Sequence, residues 1–318
     1  MVIANNYQNQ DLFWALRGGG GGTFGVTTRV TVRLFDSGPV IVANVHLTVP
    51  STHKDTYWHT AAEVIRTVRD TLTGENSGFW RLHREPKDDD LAYAAHMEIY
   101  FFGETDTTVA DRQLEPFLTS LRSDNVIEFT YRTRSFSQFN GQEDAIPAPP
   151  LGGVQSTMLV SADFFDSHDG PTKLAESFSQ IELLPTMFID GDILGGQTAA
   201  NKHLVDNAIS AAFRAAGVMV MLVHMFEPMA EAERDATERM TKVNVPILKA
   251  IEEEPLGMYA NIADVNEVEW REMFWGENYG RLYEIKQRWD PEGLFIVWHG
   301  VGSEDWDEEG MCKLQKEE

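Results

Sequence analysis

Five consecutive glycines, Gly18 to Gly22, are the residues whose type and spacing most directly suggest ligand binding. They follow an apolar, helix-like piece and precede Thr-Phe-Gly-Val. Glycine tolerates positive φ and lets backbone N–H groups approach a ligand, and successive amides can form a concavity for a pyrophosphate or polar cofactor chain. A flexible linker and a tight turn packed on the C-terminal part are the alternatives. The spacing does not fit the G-x-G-x-x-G pattern of nucleotide-binding Rossmann folds.

Composition excludes several partner classes. The 318 residues include 26 basic and 50 acidic side chains, a formal net charge of −24, which repels nucleic acid and anionic membranes. A content of 42% hydrophobic residues is ample for a packed core. The single cysteine, Cys312, and nine scattered histidines predict neither a disulfide nor a metal site. No apolar run approaches the roughly 20 residues of a membrane span, and no secretory signal is visible.

The chain, which must position the glycine run, divides into three zones. The first, residues 1–36, holds a short helix over 11–17, the glycine run and an alternating strand from Val26 to Leu34. The second, residues 37–263, mixes strands and helices. The third, residues 264–318, carries two short helices, an Asp-Pro turn and an acidic tail.

In the middle zone, apolar alternation predicts strands over 40–49, 91–102, 127–135, 155–162 and 217–226. Helical spacing predicts helices over 53–72, 106–121, 173–181, 205–216 and 230–251, with Pro246 expected to kink or break the last. The acidic run Asp88 to Asp90 is interpreted as a hairpin loop, and the Pro- and Gly-rich stretch 138–153 as a longer loop. Solitary strands between helices predict an α+β fold, an antiparallel sheet covered by helices on one face.

The segment DLFWALRGGGGGTFGVTT resembles the motif at which the flavin domain meets its cofactor in berberine-bridge-enzyme-like, vanillyl-alcohol-oxidase-type proteins. Far downstream, ENYGRLYEIKQRWDPEGLFIVWHGVGSEDW resembles the C-terminal segment of fungal members of that family. LGGQTAANKHLVDNAISAAFRAA is a weaker match to its substrate domain. The two strong matches occur in the family's order, more than two hundred residues apart.

The resemblance implies a partial FAD-binding domain of the PCMH type together with a substrate domain. Family members carry a further large segment before this point, which holds the first flavin subdomain and the residues that attach the flavin covalently. No attachment residue can be carried over here, because no histidine lies in an R-x-G-H context and Cys312 lies in the tail. The resemblance therefore implies a truncated member.

Carried over residue by residue, the resemblance implies FAD contacts at both ends of the chain. Asn278 and Tyr279 match the family's N-Y element, and an asparagine amide can donate to and accept from the edge of the flavin ring. A helix cap at Asn278 is the alternative. The glycine-rich loop supplies the other predicted contacts, Gly20, Gly21, Gly22, Thr23, Phe24, Gly25 and Val26.

Tyr259 is the candidate catalytic residue, because it matches the family's Y-x-N element and a tyrosine near a flavin can accept a proton. Core packing is the alternative. The family often has another tyrosine where this chain has Phe274 and Trp275, which do not titrate. The residues considered as replacements are Asp190, Asp192 and His224.

The function that the resemblance implies is an FAD-linked oxidase or dehydrogenase of a small alcohol or secondary metabolite. Hydride would pass to flavin N5 and the electrons to molecular oxygen. The alternatives are a non-catalytic remnant or scaffold with a family-like cleft, and a redox-neutral cyclase. Compartment is not indicated by the sequence.

Overall fold

The computed structural model describes residues 1–72, 76–139, 152–307 and 309–314. Its centre is a seven-stranded, wholly antiparallel sheet in the order β4-β1-β3-β2-β6-β7-β5. The strands are β1 (Val40–Val49), β2 (Ser77–Lys87), β3 (Asp90–Phe102), β4 (Glu128–Phe136), β5 (Gly152–Ser161), β6 (Met187–Ile193) and β7 (Ala216–Phe226). The predicted α+β class is confirmed.

Helices cover one face of this sheet, as predicted, and form a second group beside it. The helices are α1 (Gln10–Leu16), α2 (Lys54–Thr71), α3 (Thr108–Ser123), α4 (Ala162–Phe165), α5 (Gly170–Ser179), α6 (Gly196–Ala200), α7 (Ala212–Ala215), α8 (Ala230–Arg239), α9 (Val245–Lys249), α10 (Trp270–Trp275) and α11 (Tyr279–Trp289). Helix α2 shows how the sequence directs this packing, because Ala61, Val64, Ile65 and Val68 recur at helical spacing and are all buried. The core lies between these helices and the sheet.

The predicted long helix over 230–251 is interrupted where Pro246 was expected to act. Helix α8 ends at Arg239, a π-helical turn spans Met240–Asn244, and α9 then carries Pro246 in its first turn. Proline lacks an N–H and crowds the preceding turn, so the chain widens into a π turn just before it.

The strand predicted from Val26 to Leu34 is wrong. Residues 26–39 form no regular element and pair with no strand among the described residues, and Val30, Val32 and Leu34 are exposed. The period-two pattern indicated a strand. It could not indicate a partner strand, and without one no ladder of hydrogen bonds forms.

The helix predicted over 205–216 is also largely wrong, since only Ala212–Ala215 is helical. Tertiary contacts hold the preceding residues open: Ala208 N donates to Arg17 O at 3.1 Å, and Ile209 N donates to the Asn207 side chain at 3.3 Å. The sequence reasoning also missed β2 and β6. The hairpin turn at Asp88 and Asp89 is confirmed, whereas most of the predicted loop over 138–153 lies outside the described residues.

The predicted zone boundaries at residues 36 and 263 stay predictions. The first and third zones do pack together, because α1 contacts α11. Within the described ranges no helix is long and apolar enough to cross a membrane. In the same residues no cluster of histidine, cysteine or carboxylate side chains could hold a metal ion.

Candidate functional site

The first two glycines of the run are packing positions. A Cβ on Gly18, whose φ is +135°, would lie 2.2 Å from Ile209 N, and one on Gly19 would lie 2.7 Å from Ala15 O. No other residue type fits without displacing backbone. The start of the run is therefore built into the protein interior, which excludes the flexible-linker interpretation for this part.

The later residues of the run form a loop with an open side. A Cβ added at Gly22 (φ +72°) or Gly25 (φ +150°) would meet nothing within 4 Å, and the same holds at Gly21. Thr23 between them is only 1% exposed, yet its hydroxyl has no hydrogen-bond partner among the described residues. Buried hydroxyls are normally satisfied, so this unpaired one beside open backbone is a candidate for a hydrogen bond to a ligand.

Lys286 fastens this loop to the C-terminal part. Its buried ammonium donates to Thr23 O at 2.7 Å, Asp290 Oδ2 at 2.5 Å and Phe295 O at 2.6 Å. Burial alone would raise the pKa of Asp290, but Lys286 and two backbone N–H groups hold it below its usual range. The Asp-Pro turn predicted in the third zone is part of this arrangement.

A second fastening lies at the start of the glycine run. Trp275 Nε1 donates to Gly18 O at 3.0 Å, and Asn278 Nδ2 donates to Ala208 O at 3.3 Å and Ile209 O at 3.1 Å. Asn278 occupies the N-cap position of α11 but makes no side-chain cap hydrogen bond. The two ends of the chain, predicted to close on one site, thus lie together. The Asn278 amide nitrogen is engaged with backbone.

Tyr279 faces the C-terminal tail. Its hydroxyl donates to the Glu304 carboxylate at 2.5 Å and accepts from Gly302 N at 3.2 Å. Burial and the neighbouring Glu304 raise the pKa of Tyr279 far above its ordinary value. The phenol therefore stays protonated and positions the Gly-Val-Gly-Ser-Glu-Asp-Trp segment, and only its ring and backbone are left for a ligand.

Tyr259, the predicted catalytic residue, is half-buried beside the edge strand β5. Its backbone N–H donates to Thr157 Oγ1 at 2.9 Å, and its hydroxyl accepts from Asn261 Nδ2 at 2.7 Å. The ring meets Phe213 edge to face, with centroids 5.6 Å apart. A pocket of about 270 Å³ next to it is lined in part by Asn261, Phe274 and His299. Tyr259 stays a prediction.

The sheet face opposite α2 and α3, here called the open face, carries most of the polar side chains of the strands, and α7 packs against its β5 end. Cross-strand register places one residue from every strand in a single row, which runs Thr130, His46, His96, Arg81, Asp190, Met221 and Thr157. The adjacent row runs Arg132, Asn44, Glu98, Phe79, Asp192, Met219 and Leu159. Side chains alternate between faces along a strand, so both rows share one surface.

Asp190, Asp192 and His224, the three residues considered as replacements for the family's second tyrosine, do not all lie on this surface. Asp190 and Asp192 lie on the open face, whereas His224 is opposite Met187 on the helix-covered face. Asp190 is 4% exposed and accepts from Arg81 Nε and Nη2 at 2.7 Å each. Burial and Asp190 raise the pKa of Asp192, while Arg81 lowers it less.

Histidines occupy the other half of the open face. One carboxylate, Glu85, lies 3.1 Å from His46 Nε2 and 3.3 Å from His83 Nε2. Burial, followed by the charges of His46, Arg81 and His83, lowers the pKa of His96 to about 4, so its imidazole is neutral at physiological pH.

Sequence reasoning missed Arg81, His83 and Glu85. Their alternation along Phe79–Glu85 is a period-two signal that could have revealed β2.

Replacing Asp192 with asparagine is expected to stabilise the chain at neutral pH. A carboxyl whose pKa is raised on folding contributes stability below its unfolded pKa of about 3.9, and that contribution is lost as the pH rises through the folded value. The difference in melting temperature, D192N minus wild type, should therefore become more positive from pH 3.5 to pH 7 in thermal unfolding followed by circular dichroism. D106N is the control of opposite sign, because hydrogen bonds from the backbone and side chain of Thr108 lower the pKa of exposed Asp106. A pH-independent difference for D192N would contradict the prediction.

Comparison with known proteins places these features in a family. The model of the family "Berberine and berberine like" matches residues 258–302, the stretch that holds Tyr259 and Asn278. The chain is 40% identical over 319 residues to the FAD-linked oxidoreductase notD of Aspergillus sp. (strain MF297-2), covering 99% of this chain and 50% of that protein. It is 34% identical over 317 residues to the FAD-linked oxidoreductase easE of Arthroderma otae, covering 98% and 51%. The chain thus spans about half the length of these curated relatives.

Solved structures share the fold. The VAO-type flavoprotein MtVAO713 from Myceliophthora thermophila C1 superposes with a TM-score of 0.80 at 18% identity, over 96% of this chain and 55% of that one. Berberine bridge enzyme from Eschscholzia californica superposes with a TM-score of 0.66 at 18% identity, over 92% and 61%. The motifs at both ends of the sequence and the shared fold indicate the same group of flavoproteins. The chain carries a berberine and berberine-like domain, is similar over nearly its whole length to fungal FAD-linked oxidoreductases, and has the fold of the VAO-type flavoproteins.

Proposed function

We propose that this chain is part of an FAD-linked oxidoreductase that transfers hydride from a small alcohol or secondary metabolite to flavin N5. Residues 1–36 and 264–318 lie on the flavin side in this proposal, and residues 37–263 on the substrate side. The observation that carries it is the glycine loop, whose open side and unpaired Thr23 hydroxyl are fastened to the C-terminal elements through Lys286. The family's flavin motifs fall on these same two elements.

The residues around the loop fit a flavin. Backbone amides of 20–26 make no hydrogen bond within the described part of the chain, Gly21, Gly22 and Gly25 leave room, and the Thr23 hydroxyl lacks a partner. Asn278 and Tyr279 border the same region from the C-terminal side. A bound flavin would supply the two-electron chemistry. The chain would orient the substrate on the open face, with Tyr259 as one candidate proton acceptor.

The substrate proposal draws on relatives. Two proteins of the same fold are described as a carbohydrate oxidase from Microdochium nivale and a glucooligosaccharide oxidase from Acremonium strictum. Carbohydrates are hydroxylated molecules, and the polar rows of the open face suit a compound of that kind. Molecular oxygen is the electron acceptor that we propose, by analogy with these oxidases.

Flavin retention tests the proposal. Chain mixed with FAD and passed through gel filtration is expected to keep the visible absorption of a bound flavin, and benzyl alcohol, benzylamine and cellobiose serve as probes for anaerobic bleaching. The variant T23V sharpens the test, because it removes the buried hydroxyl at nearly constant volume. We expect about tenfold weaker FAD binding, the worth of one lost hydrogen bond, with no loss of stability in the flavin-free chain. Colourless wild-type chain, or equal affinity in T23V, would overturn the proposal.

The non-catalytic alternative rests on one observation, the unpaired segment from Val26 to Phe35 on the proposed flavin side. A chain that keeps its fold yet never retains FAD would favour this alternative. A redox-neutral cyclase would retain FAD without bleaching by any probe. FAD retention therefore separates both enzymes from the non-catalytic alternative, and bleaching by any probe separates an oxidoreductase from a cyclase.

A further inference from the structure

Asp192 is a carboxylate on the open face that makes no hydrogen bond or ion pair with any described residue. It is half-buried on β6, directly opposite Phe79 on one side and Met219 on the other. Apolar neighbours leave its oxygens without donors from the protein. We propose that Asp192 is the proton acceptor for a hydroxyl or amine group of a small molecule bound on the open face. This inference rests on the proposed function.

Asp190 is the positioning residue that keeps Asp192 unpaired. Both nitrogens of the Arg81 fork donate to Asp190, at 2.7 Å each, and the guanidinium lies 4.1 Å from the centre of the Phe188 ring. A bidentate pair of this kind uses the planar fork on one carboxylate and fixes its direction. Arg81, the cation nearest to both carboxylates, is therefore paired with Asp190 and is not available to Asp192.

Asp192 is the penultimate residue of β6, and Leu194 just beyond the strand packs against the apolar cluster of Leu159 and Ala212. The chain leaves β6 just beyond it and reaches Ala208 and Ile209, whose carbonyls accept from Asn278. Met219, opposite Asp192, belongs to the apolar cluster that includes Phe213, and Phe213 contacts Tyr259. A molecule bound beside Met219 and Phe213 would therefore lie next to both Asp192 and Tyr259.

The electrostatic surroundings suit a base. Burial and the like charge of Asp190 raise the pKa of Asp192, and the residues facing it from β2 and β7, Phe79 and Met219, carry no charge. Arg81 is the one opposing charge that lowers its pKa. A general base works best when its pKa approaches the working pH, so a raised carboxyl is more useful than an ordinary one.

In the proposed step, the O–H or N–H proton of the substrate moves to a carboxylate oxygen of Asp192, while the hydride on the adjacent carbon passes with its two electrons to a bound flavin. A C=O or C=N bond forms, and no other atom is transferred. Protonated Asp192 then returns its proton to water, since the side chain is partly exposed on the open face.

The first test is a carbon-13 NMR titration of aspartate carboxyl groups in the flavin-free chain, with Asp192 assigned from the signal missing in D192N. We expect a midpoint above the ordinary aspartate value of about 3.9, and a lower midpoint in D190N, which removes the like charge. A midpoint at or below that value in the wild type would overturn the proposal.

The second test uses 4-nitrophenol, whose absorbance reports the state of its O–H group. The wild-type chain should bind it, and D192N should weaken binding about tenfold because a charge-assisted hydrogen bond is lost. E128Q is the matched control: it removes one carboxylate from the same face, at the far edge strand β4. We expect its affinity to stay within twofold of the wild type.

Three results would sink the proposal: no binding to the wild type, equal affinity in D192N, or a loss confined to Y259F, which would assign the acceptor role to Tyr259. Both measurements use flavin-free chain. A failure to retain FAD would therefore remove the proposed function and leave the acceptor site tested on its own. Conversely, if the chain retains FAD but D192N binds 4-nitrophenol as tightly as the wild type, only the role proposed for Asp192 is overturned.

Discussion

Replacing Lys286 with methionine is expected to lower the free energy of unfolding by about 3–5 kcal/mol, the range for breaking a buried ion pair. The substitution leaves Asp290 buried without its counter-ion and removes donors from Thr23 O and Phe295 O. Because Lys286 is 2% exposed, water cannot replace those donors without opening the structure. The glycine loop and the turn after α11 should loosen together.

Urea unfolding followed by tryptophan fluorescence measures this effect. The control is K242M, which removes a lysine paired with Glu238 at the same helical spacing but on the surface. We expect that change to cost less than about 1 kcal/mol, as for exposed ion pairs. Equal losses in the two variants would mean that Lys286 does not tie the loop to the C-terminal part.

Replacing Gly18 with alanine should cost about 3 kcal/mol, since it combines backbone strain with overpacking. The φ of +135° disfavours any residue with a Cβ, and the new methyl would lie 2.2 Å from Ile209 N. That neighbour is backbone, so it cannot rotate away. Displacing it would also shift the carbonyls of Ala208 and Ile209 away from Asn278.

Gly21 provides the matched control three residues along the same run. A Cβ there meets nothing within 4 Å, and G21A should change stability by less than about 1 kcal/mol. Thermal unfolding of both variants by circular dichroism makes the comparison. If G18A proved as stable as G21A, the glycine run would be a loop without fixed packing, and the linker interpretation would return.

Periodicity predicted the elements whose partners are close in sequence or whose faces are strongly apolar. β1, β3, β7 and α2 belong to this group, because continuous or evenly spaced apolar residues fix both their type and their buried face. The pattern from Val26 to Leu34 was equally regular and failed. A strand is defined by a neighbour as well as by its own alternation, and the sequence holds no record of which neighbour is present.

The candidate site was predictable in outline. Two motifs at opposite ends of the chain indicated that the glycine loop and α11 meet, and Lys286 and Trp275 connect them. The open face was not predictable, because its rows combine single residues from strands far apart in sequence. Asp190 is paired and Asp192 is not because of Arg81, a contact between residues more than a hundred positions apart. The sequence spacing of these residues does not indicate which of the two aspartates Arg81 binds.

The exposed segment from Val26 to Phe35 also affects how the chain behaves in solution. Its apolar side chains and unpaired backbone groups would attract a second copy, edge to edge. The net charge of −24 opposes that approach at low ionic strength. Salt shortens the range of the repulsion to about 8 Å near 0.15 M but does not weaken the apolar attraction. Colloidal stability of the chain is thus a balance between the exposed apolar side chains of this segment and the net negative charge, and it shifts toward association as the salt concentration rises.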